Sequence, residues 1–128
     1  MAEFSNYLEE KLLDHVLRNV NFTSPTTAYI GLYTVAPTDS GGGTEVSGGS
    51  YARQAASFSA ASGGLTTTDA DISFPQATGN WGTVVALGIH DSVVTGNLLM
   101  YTDLTTSKTI ESGDILKIST GGLTVALD

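Results

Sequence analysis

Ala28-Tyr29-Ile30-Gly31-Leu32-Tyr33-Thr34 is the stretch that decides the fold. Ala28, Ile30 and Leu32 alternate with Tyr29, Gly31 and Tyr33, a period of two that sends one set to each face of a pleated strand. Before Pro25 the chain has a different period, and beyond Thr34 the period of two returns again and again. The body of the chain therefore reads as β, entered from a helix.

That helix is predicted from Ser5 to about Asn19. Leu8, Leu12, Val16 and Val20 recur at four-residue spacing, and Phe4, Leu13 and Leu17 widen the apolar stripe. Ser5 suits the N-cap, Glu9 and Glu10 lie in the first half, and Arg18 lies in the last turn, so both ends of the macrodipole are complemented. Asp14 and Arg18 form a favourable i,i+4 pair, and Asn19, Asn21 and Pro25 close the element.

Downstream, residues 37–50 form a loop rich in Gly, Ser and Thr, with Gly41-Gly42-Gly43 and Gly48-Gly49 inside it. Strand patterns follow at 51–59, 71–74, 83–91, 97–103, 108–111, 115–119 and 123–127. Between them stand turn signals such as Ser62-Gly63-Gly64, Thr95-Gly96-Asn97, Ser112-Gly113-Asp114 and Thr120-Gly121-Gly122. The sum is an all-β fold, an antiparallel jelly-roll-like β-sandwich of seven or eight strands carrying one N-terminal amphipathic α-helix. The expected division is residues 1–22 for the helix and 23–128 for a single β-sandwich domain.

Composition agrees. Charged residues make up only 14% of the 128, while Ser and Thr together supply about a quarter, so hydroxyls replace charges as the outward polar groups. Thr is β-branched and fits a sheet, whereas Lys, Glu and Arg are the usual solubilisers of helices. A formal charge of −8, with five scattered basic residues, argues against a nucleic-acid partner, because phosphate binding rests on Lys and Arg. There is no cysteine, which excludes disulfides and thiolate chemistry. No stretch approaches the roughly 20 apolar residues of a membrane span, and the polar, acidic first ten residues do not read as an export signal.

Candidate chemistry is sparse. His15 and His90 each have an acid beside them, Asp14 and Asp91, but neighbours on a strand point to opposite faces and nothing else gathers to ligate a metal. The glycine loop lacks the Lys-Ser/Thr pair of a phosphate cradle, and no Gly-x-Ser-x-Gly elbow is present. A calcium site would draw on Asp69 with Asp71 or Asp39 with Glu45, although solvated turn carboxylates explain them better. We therefore expect no enzyme, no cofactor and no metal. Trp81, framed by Asn80 and Gly82, either plugs the end of the sandwich or is displayed as a binding aromatic. The helix stripe either closes the same domain or packs on a partner subunit.

The chain resembles small proteins of tailed bacteriophages, commonly labelled tail fibre or capsid accessory proteins. The resemblance covers nearly the whole length. It runs through residues 6–17, then 28–34 with Pro37, then Gly43-Thr44-Glu45-Val46-Ser47-Gly48-Gly49-Ser50-Tyr51-Ala52-Arg53-Gln54, the most specific segment. Ile72-Ser73-Phe74-Pro75, Trp81-Gly82-Thr83-Val84, Gly88-Ile89-His90-Asp91, residues 96–101 and Ser112-Gly113-Asp114 continue it. It implies a virion component, assembled in the host bacterial cytoplasm, and carries no catalytic residues across.

The function expected on these grounds is a capsid cement or decoration protein that stabilises the head by contacting the major capsid protein and copies of itself, as a homodimer or homotrimer. The alternative is a tail or fibre-tip component that binds a host-surface glycan through aromatics such as Trp81, Tyr29, Tyr33 or Tyr51. Leu8, Leu12, Val16, Arg53 and Trp81 are the residues expected to meet a partner, Arg53 because its fork can pair with a carboxylate on its own chain or another.

Overall fold

A computed structural model describes residues 2–127. Its elements in chain order are β1 Glu3–Phe4, α1 Asn6–Leu17, β2 Ala28–Val35, β3 Thr44–Glu45, β4 Gln54–Ala56, β5 Leu65–Thr67, β6 Ile72–Ser73, β7 Gly82–His90, β8 Leu98–Ile110, β9 Lys117–Ile118 and β10 Thr124–Ala126. The fold is mostly antiparallel β with one short helix. Six strands form the main sheet in the order β1-β8-β7-β2-β3, with β4 also paired to β2. β5 pairs with β10 and β6 with β9 as separate two-stranded ladders.

The alternation read in β2 sets the layers. Ile30 and Leu32 are fully buried and join Leu87 and Ile89 of β7 in one apolar cluster with Ile72, Phe74, Leu123 and Val125 from the small ladders and their flanks. Complete burial of an Ile or Leu side chain contributes about 1.5–3 kcal/mol, so this face drives the fold. Gly31 and Tyr33 of β2, with Gly88 and His90 of β7, have the opposite parity, and their face of the sheet carries a polar cluster.

The strand order stops short of the jelly roll expected from sequence. Outside β2, β7 and β8 the strands are two or three residues long, and the small ladders do not join into a second continuous sheet. The Ser, Thr and Gly turns that punctuate this part of the chain leave no run long enough to extend them. The patterns at 97–103 and 108–111 are one strand, β8. Its pairing passes from Ala86↔Asp103 to Val84↔Lys108, so Leu104, Thr105, Thr106 and Ser107 bulge opposite Val85. β1 and β5 lie where no strand was expected, and the glycine loop contains β3 and a Thr38↔Gly41 bridge.

The helix begins where it is pinned. Ser5 is the N-cap: its Oγ accepts from the Leu8 N–H at 3.3 Å and donates to the Leu98 carbonyl at 2.6 Å, while its own N–H reaches Leu99 O at 2.9 Å. Asn6 N–H donates to Asp39 O at 2.8 Å, so the loop after β2 braces the same turn. Beyond Leu17 the backbone reverses at Asn19, φ +56°, and the Phe22 N–H donates to His15 Nδ1 at 3.1 Å. His15 thus closes the turn after its own helix. Among the described residues no helix is long and apolar enough to cross a membrane.

Candidate functional site

The most specific segment of the sequence closes on itself beside β2. β4 pairs with Ala28 to Ile30 and β3 with Tyr33 and Val35, which leaves Leu32 between two strand partners. Its carbonyl accepts from Val46 N–H at 2.9 Å, and its N–H donates to the Tyr51 hydroxyl oxygen at 2.9 Å. A side chain completes the ladder where the neighbouring strand is interrupted. The Tyr51 hydroxyl in turn donates to Glu45 Oε2 at 2.6 Å.

Glu45 is held from the other side by Arg53, whose Nε donates to Oε2 at 2.8 Å and whose Nη2 donates to Oε1 at 2.7 Å. This is the bidentate fork that gives Arg its geometric specificity. Arg53 Nη1 donates to the carbonyls of Ser92 at 2.9 Å and Thr95 at 2.8 Å, so the pair also anchors the turn between β7 and β8. Burial alone would raise the Glu45 carboxyl, but the bonds from Arg53 and Tyr51 outweigh it and hold the group below the ordinary carboxylate range. Burial and the bond to Glu45 raise the Tyr51 phenol far above its ordinary value.

Tyr51 also organises the aromatics. Its ring stacks on Phe74 with centroids 6.3 Å apart and meets Trp81 edge to face at 5.4 Å. Trp81 Nε1 donates to the Gly49 carbonyl at 2.9 Å. Gly49 has φ +58°, and a Cβ there would stand 2.9 Å from that indole nitrogen, so glycine is what lets the loop approach the ring.

On the polar face of the sheet, Tyr33 Oη lies 3.0 Å from His90 Nε2 and the two rings stack with centroids 5.9 Å apart. His90 is 3% exposed. Burial, seconded by the Arg53 charge, lowers its pKa to about 4, so the imidazole is neutral near pH 7. Burial and the Glu45 charge push Tyr33 up to about 12. Above this pair opens a cleft of about 410 Å³, walled by the start of α1, residues 39–42 and residues 95–98.

The second surface is apolar. Leu13, Val16, Leu17 and Val20 are 57%, 73%, 74% and 46% exposed, whereas Leu8 alone of the helix is buried. Beside them a groove of about 320 Å³ is lined by Phe4, Leu12, Phe22, Pro25 and Met100. Of the five residues expected to meet a partner, Leu8 and Trp81 are each 5% exposed and occupied within their own chain, Leu12 is half-buried, Arg53 pairs with its own Glu45, and Val16 is open to a partner. Leu13 and Leu17, noted in the sequence only as widening the stripe, complete that open face.

The acids considered for a cation hold donors of the chain. Asp69 accepts from Ser57, Asp39 from Tyr101, and Asp71 from Thr120 at 2.8 Å and from Lys117 at 3.1 Å. Asp91 takes the backbone and side-chain N–H groups of Asn97 at 2.7 and 2.9 Å. No cluster of three or more His, Cys, Asp or Glu residues with metal-holding geometry occurs among the described residues.

A family model described as "Podophage GP4 fiber I protein gp80" matches residues 3–126. No curated protein matches the chain.

Proposed function

Since the chain belongs to the podophage GP4 fiber I protein gp80 family, and so is a structural component of a tailed-phage virion, we propose that it is a non-enzymatic subunit of a fibre assembly, docked through α1. The observation that carries the docking is the helix face itself: three of its leucine and valine side chains between residues 13 and 17 are more than half exposed. Large apolar groups left open on a small domain mark an interaction surface. The β body, closed on its own core, holds that face in place.

The partner proposed is another virion subunit, with further copies of this chain as the second class of contact. A capsid-cement role against the major capsid protein uses the same face. It is favoured by the lack of any stacked repeat of twenty to fifty residues from which a shaft is built. The family's description weighs toward the fibre, and copy number separates the two.

The test uses full-length protein carrying Val16→Glu and Leu17→Glu together. Both positions are solvent-facing, so the fold is expected to survive with a stability change of about 0.5 kcal/mol or less per site. Incorporation into particles, followed by mass spectrometry of purified virions, is expected to fall to background. A folded double variant that enters virions at the wild-type copy number would sink the docking proposal. A wild-type copy number matching that of the major capsid protein would replace fibre with cement.

A further inference from the structure

We propose that the exposed face of α1 on one copy of the chain seats in a groove between β8 and β9 of a second copy, in a head-to-tail contact. The inference rests on the docking role given to α1 above and names what the helix docks on. The groove has a volume of about 300 Å³. Leu104, Leu116 and Ile118 make it apolar, and Lys108 and Lys117, both exposed, line it as well. Its β8 side is the bulge at residues 104–107, where side chains leave the regular ladder and are re-aimed.

The charges select the occupant. Five basic residues stand in a chain of charge −8. Lys11 lies over the Tyr7 ring, Arg18 pairs with Asp14, and Arg53 pairs with Glu45. The other two are gathered in this groove, where Lys117 is 3.1 Å from Asp71 and Lys108 has no acidic partner among the described residues. A groove that is apolar and basic fits a segment that is apolar and acidic. α1 has that make-up. Leu13, Val16 and Leu17 are spaced as the anchors by which a helix enters a groove, and Glu9 and Glu10 lie one turn before them, exposed and in no ion pair among the described residues.

Within one copy the two surfaces stand at opposite ends of β8. Ser5 holds the start of α1 to the Leu98 and Leu99 carbonyls. The chain after the helix re-enters the sheet at Ala28, beside the Tyr29↔His90 pair at that same end. Lys108 faces Val84 in the ladder, nine residues beyond Leu99, roughly 30 Å of strand before the bulge is allowed for. The contact is therefore between copies and heterologous, with the stripe of one on the groove of the next, and a ring of copies uses every stripe and every groove. It is made by side chains and needs no free strand edge.

The experiment is sedimentation of the full chain over a concentration series. Wild type is expected to self-associate, less so as salt is raised. Lys108→Glu, at an exposed position, is expected to weaken the association roughly tenfold. Two double variants then separate the halves: Val16→Glu with Leu17→Glu spoils the stripe, and Thr106→Glu with Lys108→Glu spoils the groove. Each alone is expected to stay monomeric, and an equimolar mixture is expected to form a one-to-one complex, because one supplies an intact groove and the other an intact stripe. A symmetric contact of stripe on stripe gives no such rescue. The proposal is overturned if wild type is monomeric at every concentration, if Lys108→Glu associates as wild type does, or if the mixture stays monomeric. Should it fall while the spoiled stripe still keeps the chain out of virions, α1 docks on a different subunit, and the docking role stands without it.

Discussion

Arg53 grips Glu45 through two parallel bonds of 2.7 and 2.8 Å across eight residues of chain, with their side chains 10% and 23% exposed. The segment between them contains Tyr51 and the Gly49 carbonyl that receives Trp81. One ion pair thereby ties the β2 edge, the aromatic cluster and the turn before β8 into one unit.

Removing the fork leaves a half-buried carboxylate without its counterion. Arg53→Ala is expected to cost about 2–4 kcal/mol, below the upper range for a fully buried pair because both groups keep some access to water. Arg53→Lys is expected to recover less than half of that, since an ammonium cannot span both oxygens and both carbonyls. Urea midpoints read both, and a lysine variant as stable as wild type would contradict the geometry.

Tyr51→Phe keeps the rings and deletes one oxygen. The Leu32 N–H then lies buried without an acceptor and Glu45 loses a donor, for an expected loss of about 1–3 kcal/mol. Hydrogen exchange at the Leu32 amide is expected to accelerate more than at the neighbouring Ile30 amide.

Acid should weaken the fold in two steps. His90 is lowered from 6.5 to about 4, so the folded state favours the neutral ring. Its stabilisation is complete above pH 6.5 and is lost as pH falls toward 4, because the unfolded chain takes a proton there that the folded chain refuses; the drop is at most roughly 3 kcal/mol. Glu45, also lowered, adds its own loss as pH falls below the ordinary carboxylate range and through its folded value. Urea midpoints across this window should fall in wild type, and His90→Gln should flatten the part between 6.5 and 4.

Gly88 and Gly31 have cross-strand positions under the His90 ring. A Cβ on Gly88 would stand 2.7 Å from Tyr33 Cε1 and 2.9 Å from His90 Nε2, and one on Gly31 would stand 2.8 Å from Glu45 Oε2. Gly88→Ala is expected to destabilise by about 1–3 kcal/mol through overpacking, despite the better strand propensity of alanine. A thermal melt unchanged by this substitution would mean that the stacked pair has room to move.

Much of this architecture was legible in the sequence where periodicity is strong. The Leu8, Leu12 and Val16 spacing located α1 to within two residues at each end, with Ser5 as its cap. The alternation in β2 marked a strand with two unlike faces, and the structure puts its Ile30 and Leu32 set in the core. The arrangement of the small ladders was not legible, and a jelly roll was expected in their place, because two-residue ladders such as β6 and β9 carry no period and exist only through their partners. The candidate site was half legible. Arg53 drew notice as a cation in an acidic chain, but Glu45 lay inside an apparent glycine loop, and no local pattern joins residue 45 to residue 53 or His90 to Tyr33.

The bulge in β8 and the shortness of β1, β3 and β4 bear on how many copies a particle holds. Past β1 the outer side of β8 is kinked at residues 104–107 and followed by Lys108, while the opposite side of the sheet ends in fragments of two and three residues. Neither margin is a template on which an identical chain can add its backbone. Extension of the sheet from one copy to the next by strand pairing is therefore blocked, and copies of the chain that meet do so through other surfaces. On the docking role proposed above, the number of copies in a virion counts the seats that other subunits offer to α1 and does not scale with how much of the chain the infected cell makes.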